Sequence, residues 1–178
     1  RPKNISSNTS TDYEWVEWIM RTLSNKGDSY QTFCIIRPTS PFRTDTTITR
    51  AWKKFISLKD IDSIRAVEKC SQHPAKMWRV SNDLMEPVME SEGSYPLHSM
   101  QYASLEEIFV QNASLEIAYT HVLERDKNIS GRKVAPFFTE DFEGFDINHE
   151  IDWLLAEKLY DESLARPIDI KIQPYLGD

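Results

Sequence analysis

The sequence predicts an α/β fold in which a sheet lies between layers of helices, and three observations support this. Short apolar runs that stop at proline or at polar turns, such as Thr32–Ile36, indicate buried strands. Segments with apolar residues at helical spacing, such as Asp45–Ser57, alternate with those runs. Two of the runs, within residues 35–44 and 142–159, pass through a polar turn into a helix. In open α/β sheets such turns lie at the carboxyl ends of strands, where ligands bind.

The first predicted helix has clear start and stop signals. Ser10 or Thr11 is the candidate N-cap, and the acids Asp12 and Glu14 suit the positive end of a helix. Gly27 lies just beyond the predicted end, where glycine commonly stops a helix. The apolar stripe of this helix consists of Trp15, Val16, Trp18, Ile19, Met20 and Leu23.

A strand–helix–strand unit follows. The strand Thr32–Ile36 stops before Pro38, and Thr44 is the candidate N-cap of the helix Asp45–Ser57. A second strand is predicted at residues 63–67. This order predicts that the two strands are parallel and joined by a right-handed crossover.

Residues 76–89 have a different pattern, which predicts a hairpin or a projecting arm. Apolar residues lie on both sides of Asn82 and Asp83, two residues typical of a tight turn. Bulky apolar side chains on so small an arm indicate an interface, so we expect a homodimer. The residues concerned are Met77, Trp78, Met85 and Val88.

Further strands are predicted at residues 114–119, at Val134–Phe138 and in a run that ends at Ile147. Asn148 is the candidate N-cap of the last helix. Residues 166–178 form a tail that adds a short strand or acts as a linker. The core-facing stripe of the last helix is predicted to be Ile151, Leu154, Leu155 and Leu159.

Composition limits the possible functions. With 178 residues, 40% of them hydrophobic, the chain suits one globular domain with its own core. A net charge of -7 argues against a nucleic-acid partner, and no apolar run approaches the roughly 20 residues that cross a bilayer. Two cysteines, Cys34 and Cys70, indicate buried free thiols and a cytoplasmic location. The chain begins at Arg1 without a signal-peptide pattern, so we expect a processed piece or a fragment.

The turn within residues 35–44 carries groups that bind anions. Thr39 and Ser40 supply hydroxyl and main-chain donors, and Arg37 supplies a guanidinium. Arg43 supplies a second guanidinium, which forms paired hydrogen bonds with a carboxylate or a phosphate. The same composition also suits a plain proline–serine turn that leads into a helix, and this alternative stays open.

The acidic turn before the last helix suits a hard cation. Mg²⁺ takes one or two carboxylates together with water and phosphate oxygens, and Asp146 is the candidate ligand. The alternative is that the acids of this segment only stabilise the positive end of the helix. We favour that interpretation for Glu150 and Asp152.

Four other polar residues have plainer interpretations. His73 has no second His or Cys at ligand spacing, so it is interpreted as a loop histidine. Lys76 is interpreted as a solvated lysine, with an anion contact as the alternative. Asn112 and Ser114 precede a predicted strand and are interpreted as turn residues.

Two segments together resemble a known family. RPTSPFR at residues 37–43 and FDINHEIDW at residues 145–153 resemble cytidylyltransferases that activate nonulosonic acids, the sialic, legionaminic and pseudaminic type of nine-carbon sugar acid. The resemblance implies a Rossmann-like three-layer nucleotide-diphospho-sugar transferase fold over residues 1–165, with residues 76–100 as a projecting dimerisation arm. It also implies transfer of CMP from CTP to a nonulosonic acid with release of pyrophosphate, and Mg²⁺ as cofactor.

The resemblance also implies roles for individual residues. Arg43 and Asp146 would be catalytic, and Asp146 and Asn148 would lie at the metal. The chain departs from the family where Arg37 replaces a typical Gln, where Ala113 replaces a Gly, and where Asn148 replaces a second carboxylate. The residues that would bind substrate are Thr39, Ser40, Gln101 and Asn112.

One part of the family pattern, a basic glycine-containing phosphate loop, has no counterpart in this sequence. The chain has five glycines, and the nearest match is Gly131 with Arg132 and Lys133, which precedes a strand. We therefore expect these 178 residues to be inactive unless a phosphate loop is supplied from upstream or by another chain. The alternative is a non-catalytic homologue or fragment that binds a sugar nucleotide or a partner subunit. Which nonulosonic acid is used depends on pocket geometry and does not follow from the sequence.

Overall fold

The computed structural model describes residues 1–91 and 93–169 of the chain. Short 3₁₀ turns in this part lie at Lys3–Ile5, Pro74–Lys76, Leu97–Ser99 and Tyr102–Ser104. The helices are α1 (Asp12–Asn25), α2 (Asp45–Ser57), α3 (His121–Asp126) and α4 (Glu150–Asp161). The strands are β1 (Thr32–Ile36), β2 (Ser63–Lys69), β3 (Trp78–Ser81), β4 (Leu84–Pro87), β5 (Phe109–Tyr119) and β6 (Val134–Phe138).

The main sheet has the strand order β1-β5-β2-β6. β1 is antiparallel to β5, and β2 is parallel to β6. Main-chain hydrogen bonds join Tyr119 to Asp62 and Cys70 to Ile108, so β2 and β5 are also antiparallel. β1 and β2 therefore point the same way, as predicted, but β5 lies between them. This mixed sheet flanked by helices confirms the α/β prediction and is compatible with a Rossmann-like three-layer fold.

Two apolar clusters cover the faces of this sheet. One contains Phe55 of α2 and Ile117 of β5, and the other contains Val16 of α1 with Ile35 and Ala118. Neighbouring residues in a strand point to opposite faces, so Ile117 and Ala118 place the two clusters on the two sides of the sheet. α1 and α2 are thus the outer layers, and β5 is buried between them.

Local signals determine where α1 begins and ends. Thr11 is the N-cap, its N–H donates to the Glu14 carboxylate at 2.5 Å, and the Glu14 N–H donates to the Thr11 hydroxyl at 3.4 Å. Gly27 has a φ of 94°, which costs glycine little and other residues more. Thr44 caps α2 in the same reciprocal manner with Thr47. These caps were predicted and are confirmed.

The chain divides into two compact units, residues 1–67 with 111–178 and residues 68–110. The second unit contains the β3–β4 hairpin, whose turn residues Asn82 and Asp83 have φ values of 49° and 64°. Both positive values suit a tight hairpin turn, and asparagine and aspartate tolerate them. The predicted hairpin is therefore confirmed, and its side chains Val80 and Leu84 are more than 70% exposed.

The predicted strand ending at Ile147 is wrong, because residues 141–149 form turns and irregular backbone. The predicted N-cap is also wrong by one residue, since α4 begins after His149 rather than Asn148.

α4 differs from prediction in its burial as well. Leu159 is 6% exposed, and it packs with Phe42 and Ala165 rather than on the sheet. The other members of the predicted stripe have exposures of 68% at Ile151, 54% at Leu154 and 48% at Leu155.

Both cysteines are free, as predicted, but they are not buried. Cys34 is exposed and Cys70 is half-buried. The reason at Cys34 is topological, because β1 is at the edge of the sheet and its core contacts come from Phe33 and Ile35, which point to the other face. Within residues 1–91 and 93–169, no helix is both long enough and apolar enough to cross a bilayer. The tail beyond residue 169 lies outside the described residues.

Candidate functional site

The candidate site is built on the two turns that the sequence singled out. The turn after β1 runs from Arg37 to Arg43, and the Ser40 N–H donates to the Arg37 carbonyl at 3.4 Å. The Ile147 N–H donates to the Thr39 carbonyl at 2.9 Å, so the acidic turn lies against the turn after β1. Ser40 is 3% exposed, whereas Thr39 is exposed. The structure therefore brings the two predicted halves of the site together.

Arg43 is a half-buried cation held by main-chain carbonyls. Its Nη1 donates to the Ser114 carbonyl of β5, and its Nη2 donates to the Arg37 carbonyl at 3.1 Å. Burial lowers the pKa of Arg43, because the charged form loses hydration. Among the described residues no carboxylate pairs with Arg43. The site thus contains a partly desolvated positive charge that no acid of the described part of the chain neutralises.

Arg37 is already neutralised. Its Nη2 donates to Asp12 Oδ2 at 2.5 Å and lies 3.2 Å from Glu116 Oε1. The other oxygen of Glu116 pairs with Arg65 at 2.5 Å. The hydrogen bond from Arg37 lowers the pKa of Asp12, and the same bond raises the pKa of Arg37. Arg37 therefore belongs to an ion-pair network that connects α1, β1 and β5.

Asp146 has one engaged and one unengaged carboxylate oxygen. Its Oδ2 accepts from Asn148 Nδ2 at 2.8 Å, whereas its buried Oδ1 has no hydrogen-bond partner among the described residues. The buried hydroxyls of Ser40 and Ser114 share this property. Buried polar atoms are normally hydrogen-bonded, so each exception requires an explanation. All three belong to the two turns or to the β5 residue that accepts from Arg43.

The donor set at Asp146 fits a magnesium ion that takes its remaining ligands from water and phosphate. One carboxylate oxygen is open, and Asn148 orients the group by holding the other. Mg²⁺ is commonly bound by one or two carboxylates with waters and substrate phosphates. In the part of the chain that the structure describes, no three His, Cys, Asp or Glu side chains come together as a metal centre.

Asp152 stabilises the N-terminus of α4 by accepting main-chain N–H groups there. Its Oδ2 accepts the main-chain N–H groups of Asn148 at 3.0 Å and His149 at 2.8 Å. These two bonds lower the pKa of Asp152, because they favour its charged form. The interpretation of Asp152 as an acid that stabilises a helix terminus is confirmed. Its capping also shapes the acidic turn that carries Asp146.

Asn112 lies within β5 rather than in a turn, because the strand begins at Phe109. Its Nδ2 donates to the Thr139 hydroxyl at 2.9 Å, and its Oδ1 accepts the Ser114 N–H at 3.2 Å. Asn112 therefore supports the backbone of the strand beside Arg43. Gln101, in contrast, belongs to the second unit, where its carbonyl accepts the Ser104 N–H at 2.9 Å.

The Gly131 loop is an anion-binding loop that is already occupied. The N–H groups of Arg132 and Lys133 donate to Asp62 Oδ2 at 2.7 and 2.9 Å, and Arg125 pairs with the same oxygen at 2.8 Å. Burial alone would raise the pKa of Asp62, but these hydrogen bonds outweigh it and hold that pKa far below its usual range. A Cβ at Gly131 would lie 2.4 Å from the Asp62 Cβ, so glycine is required there.

Two polar residues of the second unit have structural contacts. His73 is buried, its Nδ1 accepts the Ala75 N–H at 3.0 Å, and its Nε2 bonds the Glu106 carbonyl at 2.9 Å. This confirms the interpretation of His73 as a loop histidine. Lys76 is not a solvated lysine, because its Nζ donates to the His98 carbonyl at 2.7 Å. The prediction was wrong because the partner carbonyl is distant in sequence.

A separate cavity of about 590 Å³ contains none of the predicted site residues. Its lining includes Tyr30 and Thr120, which lie next to the start of β1 and the end of β5. The candidate site is at the opposite ends of those two strands.

Sequence reasoning missed three residues that matter. Ser114 was interpreted as a turn residue, although its carbonyl accepts from Arg43. Glu116 is an acid between apolar residues of a strand, a signal of a buried ion pair that was available in the sequence. Asp62 gave no comparable local signal, since the N–H groups that bind it are 70 and 71 residues away.

Comparison with known proteins finds a distant similarity. No protein-family model matches the chain. The chain is 22% identical over 172 residues to the N-acylneuraminate cytidylyltransferase of Escherichia coli O18:K1:H7 (strain RS218 / NMEC). The similarity covers 96% of this chain but 38% of that protein. The chain is thus similar to a cytidylyltransferase at low identity and spans well under half of its length.

Proposed function

We propose that this chain is part of a nucleotidyltransferase that transfers CMP from CTP to a nonulosonic acid and releases pyrophosphate. One observation carries the proposal. Two turns are joined by the hydrogen bond from Ile147 to Thr39. Within residues 1–91 and 93–169, Arg43 has no counter-ion and one oxygen of the Asp146 carboxylate has no hydrogen-bond partner. Such a pair suits a reaction between two anionic substrates. The similarity to a named cytidylyltransferase supports the same class of reaction.

In the proposed reaction the anomeric hydroxyl of the sugar acid attacks the α-phosphorus of CTP. The bond from that phosphorus to the bridging oxygen breaks, pyrophosphate leaves, and the hydroxyl proton passes to water. Arg43, Ser40 and Thr39 would hold an anionic part of the substrates in the turn after β1. Asp146, oriented by Asn148, would hold Mg²⁺, which supplies charge neutralisation for the phosphates when it is bound.

A second candidate function is binding without turnover. Triphosphates require several main-chain N–H groups and cations at one loop. The Gly131 loop has such donors, but the chain's own Asp62 occupies them. This observation favours a homologue that binds a sugar nucleotide or a partner subunit and lacks its own triphosphate site.

We also propose that the protein forms a homodimer through residues 76–100. The hairpin in this segment exposes 71% of Val80, 73% of Leu84 and 55% of Met85. Two antiparallel strands alone cannot bury such side chains, so a second copy of the same surface is the proposed cover.

Pyrophosphate release from CTP, Mg²⁺ and a panel of nonulosonic acids tests the proposed reaction. We expect the product of the natural gene to release pyrophosphate with at least one acid, and the 178 residues alone to release little. Tight binding of CMP-sugar by the natural protein without any release would favour the non-catalytic candidate. Release that does not depend on a sugar acid would contradict the proposal.

A further inference from the structure

The two arginines of the turn after β1 differ in what surrounds them. Arg37 is paired with Asp12 and Glu116, so its charge is balanced within the protein. Arg43 is bonded to the carbonyls of Ser114 and Arg37, which carry partial charges only. Of this pair, Arg43 is the one whose charge is left for a ligand.

The surroundings of Arg43 favour an incoming anion. Arg43 is half-buried, and this partial loss of hydration lowers its pKa. An anion at short distance interacts more strongly with such a charge than with one at the open surface, because less water screens the pair. The two carbonyl bonds use the Nη1 and Nη2 groups once each, and three of the five guanidinium N–H donors remain.

Two buried hydroxyls that lack a hydrogen-bond partner among the described residues lie on the two segments that hold Arg43, the turn after β1 and strand β5. Ser40 is 3% exposed and Ser114 is fully buried, and the Oγ of each has no partner among the described residues. Ser40 is three residues from Arg43 in the turn, and Ser114 is the residue whose carbonyl Arg43 bonds. Within the described residues these hydroxyls have no hydrogen-bond partner and Arg43 has no counter-ion, and all three groups lie on the turn after β1 or on the β5 residue bonded to Arg43. Such a set matches an acceptor that carries negative charge.

The charge count decides which anion fits. A triphosphate carries several negative charges and needs several cations and main-chain donors. In this chain Arg37 is neutralised by its ion pairs with Asp12 and Glu116. The main-chain N–H donors of the Gly131 loop are already bonded to Asp62. Asp12 and Glu116 balance the charges of Arg37 and Arg65, so this network adds no net charge. Asp146 adds a negative charge in the adjacent turn, which disfavours a second negative charge on a ligand at Arg43. A single carboxylate is balanced by Arg43 alone.

We propose that Arg43, with the hydroxyls of Ser40 and Ser114, binds the carboxylate of the acceptor sugar acid rather than a phosphate of the nucleotide. This proposal rests on the proposed function and adds that the sugar acid and the nucleotide phosphates bind to different turns of the site. The turn after β1 would take the carboxylate, and the adjacent turn at Asp146 would take the phosphate side with its metal. The bond from Ile147 to Thr39 holds these two turns together.

The test compares one acid with its ester. N-acetylneuraminic acid and its methyl ester are titrated into the natural protein, and binding is followed by NMR chemical-shift changes. We expect the acid to bind at least tenfold more tightly than the ester, because the ester has no negative charge. Equal affinities, or no binding of the acid, would overturn the proposal without the need for any variant.

Variants then locate the site. Arg43→Gln should weaken binding of the acid at least tenfold and leave binding of magnesium pyrophosphate unchanged. Ser114→Ala should weaken acid binding less, since it removes one neutral donor. Arg21→Gln, on an exposed arginine that pairs with Glu17, is the matched control and should change neither affinity. Loss of pyrophosphate binding in Arg43→Gln, with acid binding intact, would show that Arg43 contacts phosphate instead.

Failure of this proposal can be told from failure of the proposed function. Acid binding that depends on Arg43, in a protein that releases no pyrophosphate, would refute the reaction and leave the carboxylate site standing. Pyrophosphate release with an unchanged KM for the acid in Arg43→Gln would refute the carboxylate site and leave the reaction standing.

Discussion

Replacing Asp62 by asparagine tests how much the occupied Gly131 loop contributes to stability. Asp62 is 6% exposed, and its Oδ2 accepts the N–H groups of Arg132 and Lys133 at 2.7 and 2.9 Å. An amide oxygen can accept the same two bonds, but without the charge. A hydrogen bond to a charged group contributes about 1 kcal/mol more than a neutral one, so the expected loss is about 2 kcal/mol. The Arg125 pair is left out of this sum, because Arg125 is exposed and water screens its charge.

Asp60→Asn is the matched control. Asp60 is two residues away, its side chain is 82% exposed, and it pairs with Lys133 Nζ at 2.5 Å. Its φ of 60° is one that asparagine tolerates. An exposed pair of this kind contributes at most about 1 kcal/mol, and often nothing measurable. Urea unfolding followed by circular dichroism should therefore show a midpoint about 1 M lower for Asp62→Asn, given a slope of about 2 kcal/mol per M, and little change for Asp60→Asn.

The pH dependence of the Asp62 effect has a definite sign. The pKa of Asp62 is depressed in the folded state, so its contribution is complete above its unfolded value near pH 4 and is lost as the pH falls towards the folded pKa. The stability difference between the wild type and Asp62→Asn should shrink by about 1 kcal/mol between pH 6 and pH 3. Equal midpoint shifts in the two variants, or a difference that does not change with pH, would refute this reasoning.

Three further predictions concern the site, the interface and a thiol. In the natural protein, Asp146→Asn should lower pyrophosphate release by orders of magnitude while the fold stays intact. Asp152→Asn should have a much milder effect. Similar losses of activity in the two variants would contradict the assignment of Asp146 as a metal ligand. Light scattering should give twice the mass of the monomer, which for this chain is 20.8 kDa. Leu84→Asp, at an exposed position of the hairpin, should restore the monomer. A monomeric wild type would exclude the proposed dimer interface at residues 76–100. Although Cys34 is exposed at the sheet edge, desolvation of its thiol raises its pKa to about 11. Alkylation of Cys34 in a Cys70→Ser background should therefore be slow at pH 8 and faster after unfolding, and equal rates would be inconsistent with this shift.

Much of the local structure follows from the sequence. The limits of α2, β1 and β6 match the prediction, and so do the caps at Thr11 and Thr44. The hairpin turn at Asn82 and Asp83 was also predicted. These features depend on hydrogen bonds and backbone dihedral angles within a few residues, so the residues that determine them are neighbours in the sequence. The turn that carries Arg43 was found for the same reason. At Asp146 the helix that follows was predicted, but the strand expected to end at Ile147 is absent from residues 141–149.

The tertiary structure decided which of those polar groups are free to bind a ligand. Arg37 and Arg43 are indistinguishable by composition, and only the positions of Asp12 and Glu116 neutralise the first and leave the second. The Gly131 loop has the sequence of an anion site, but the sheet brings Asp62 into it. The sequence determined the kinds of charge that this protein carries and where the chain turns. The sheet decided which of those charges pair with one another, because it brings together residues that are distant in the chain.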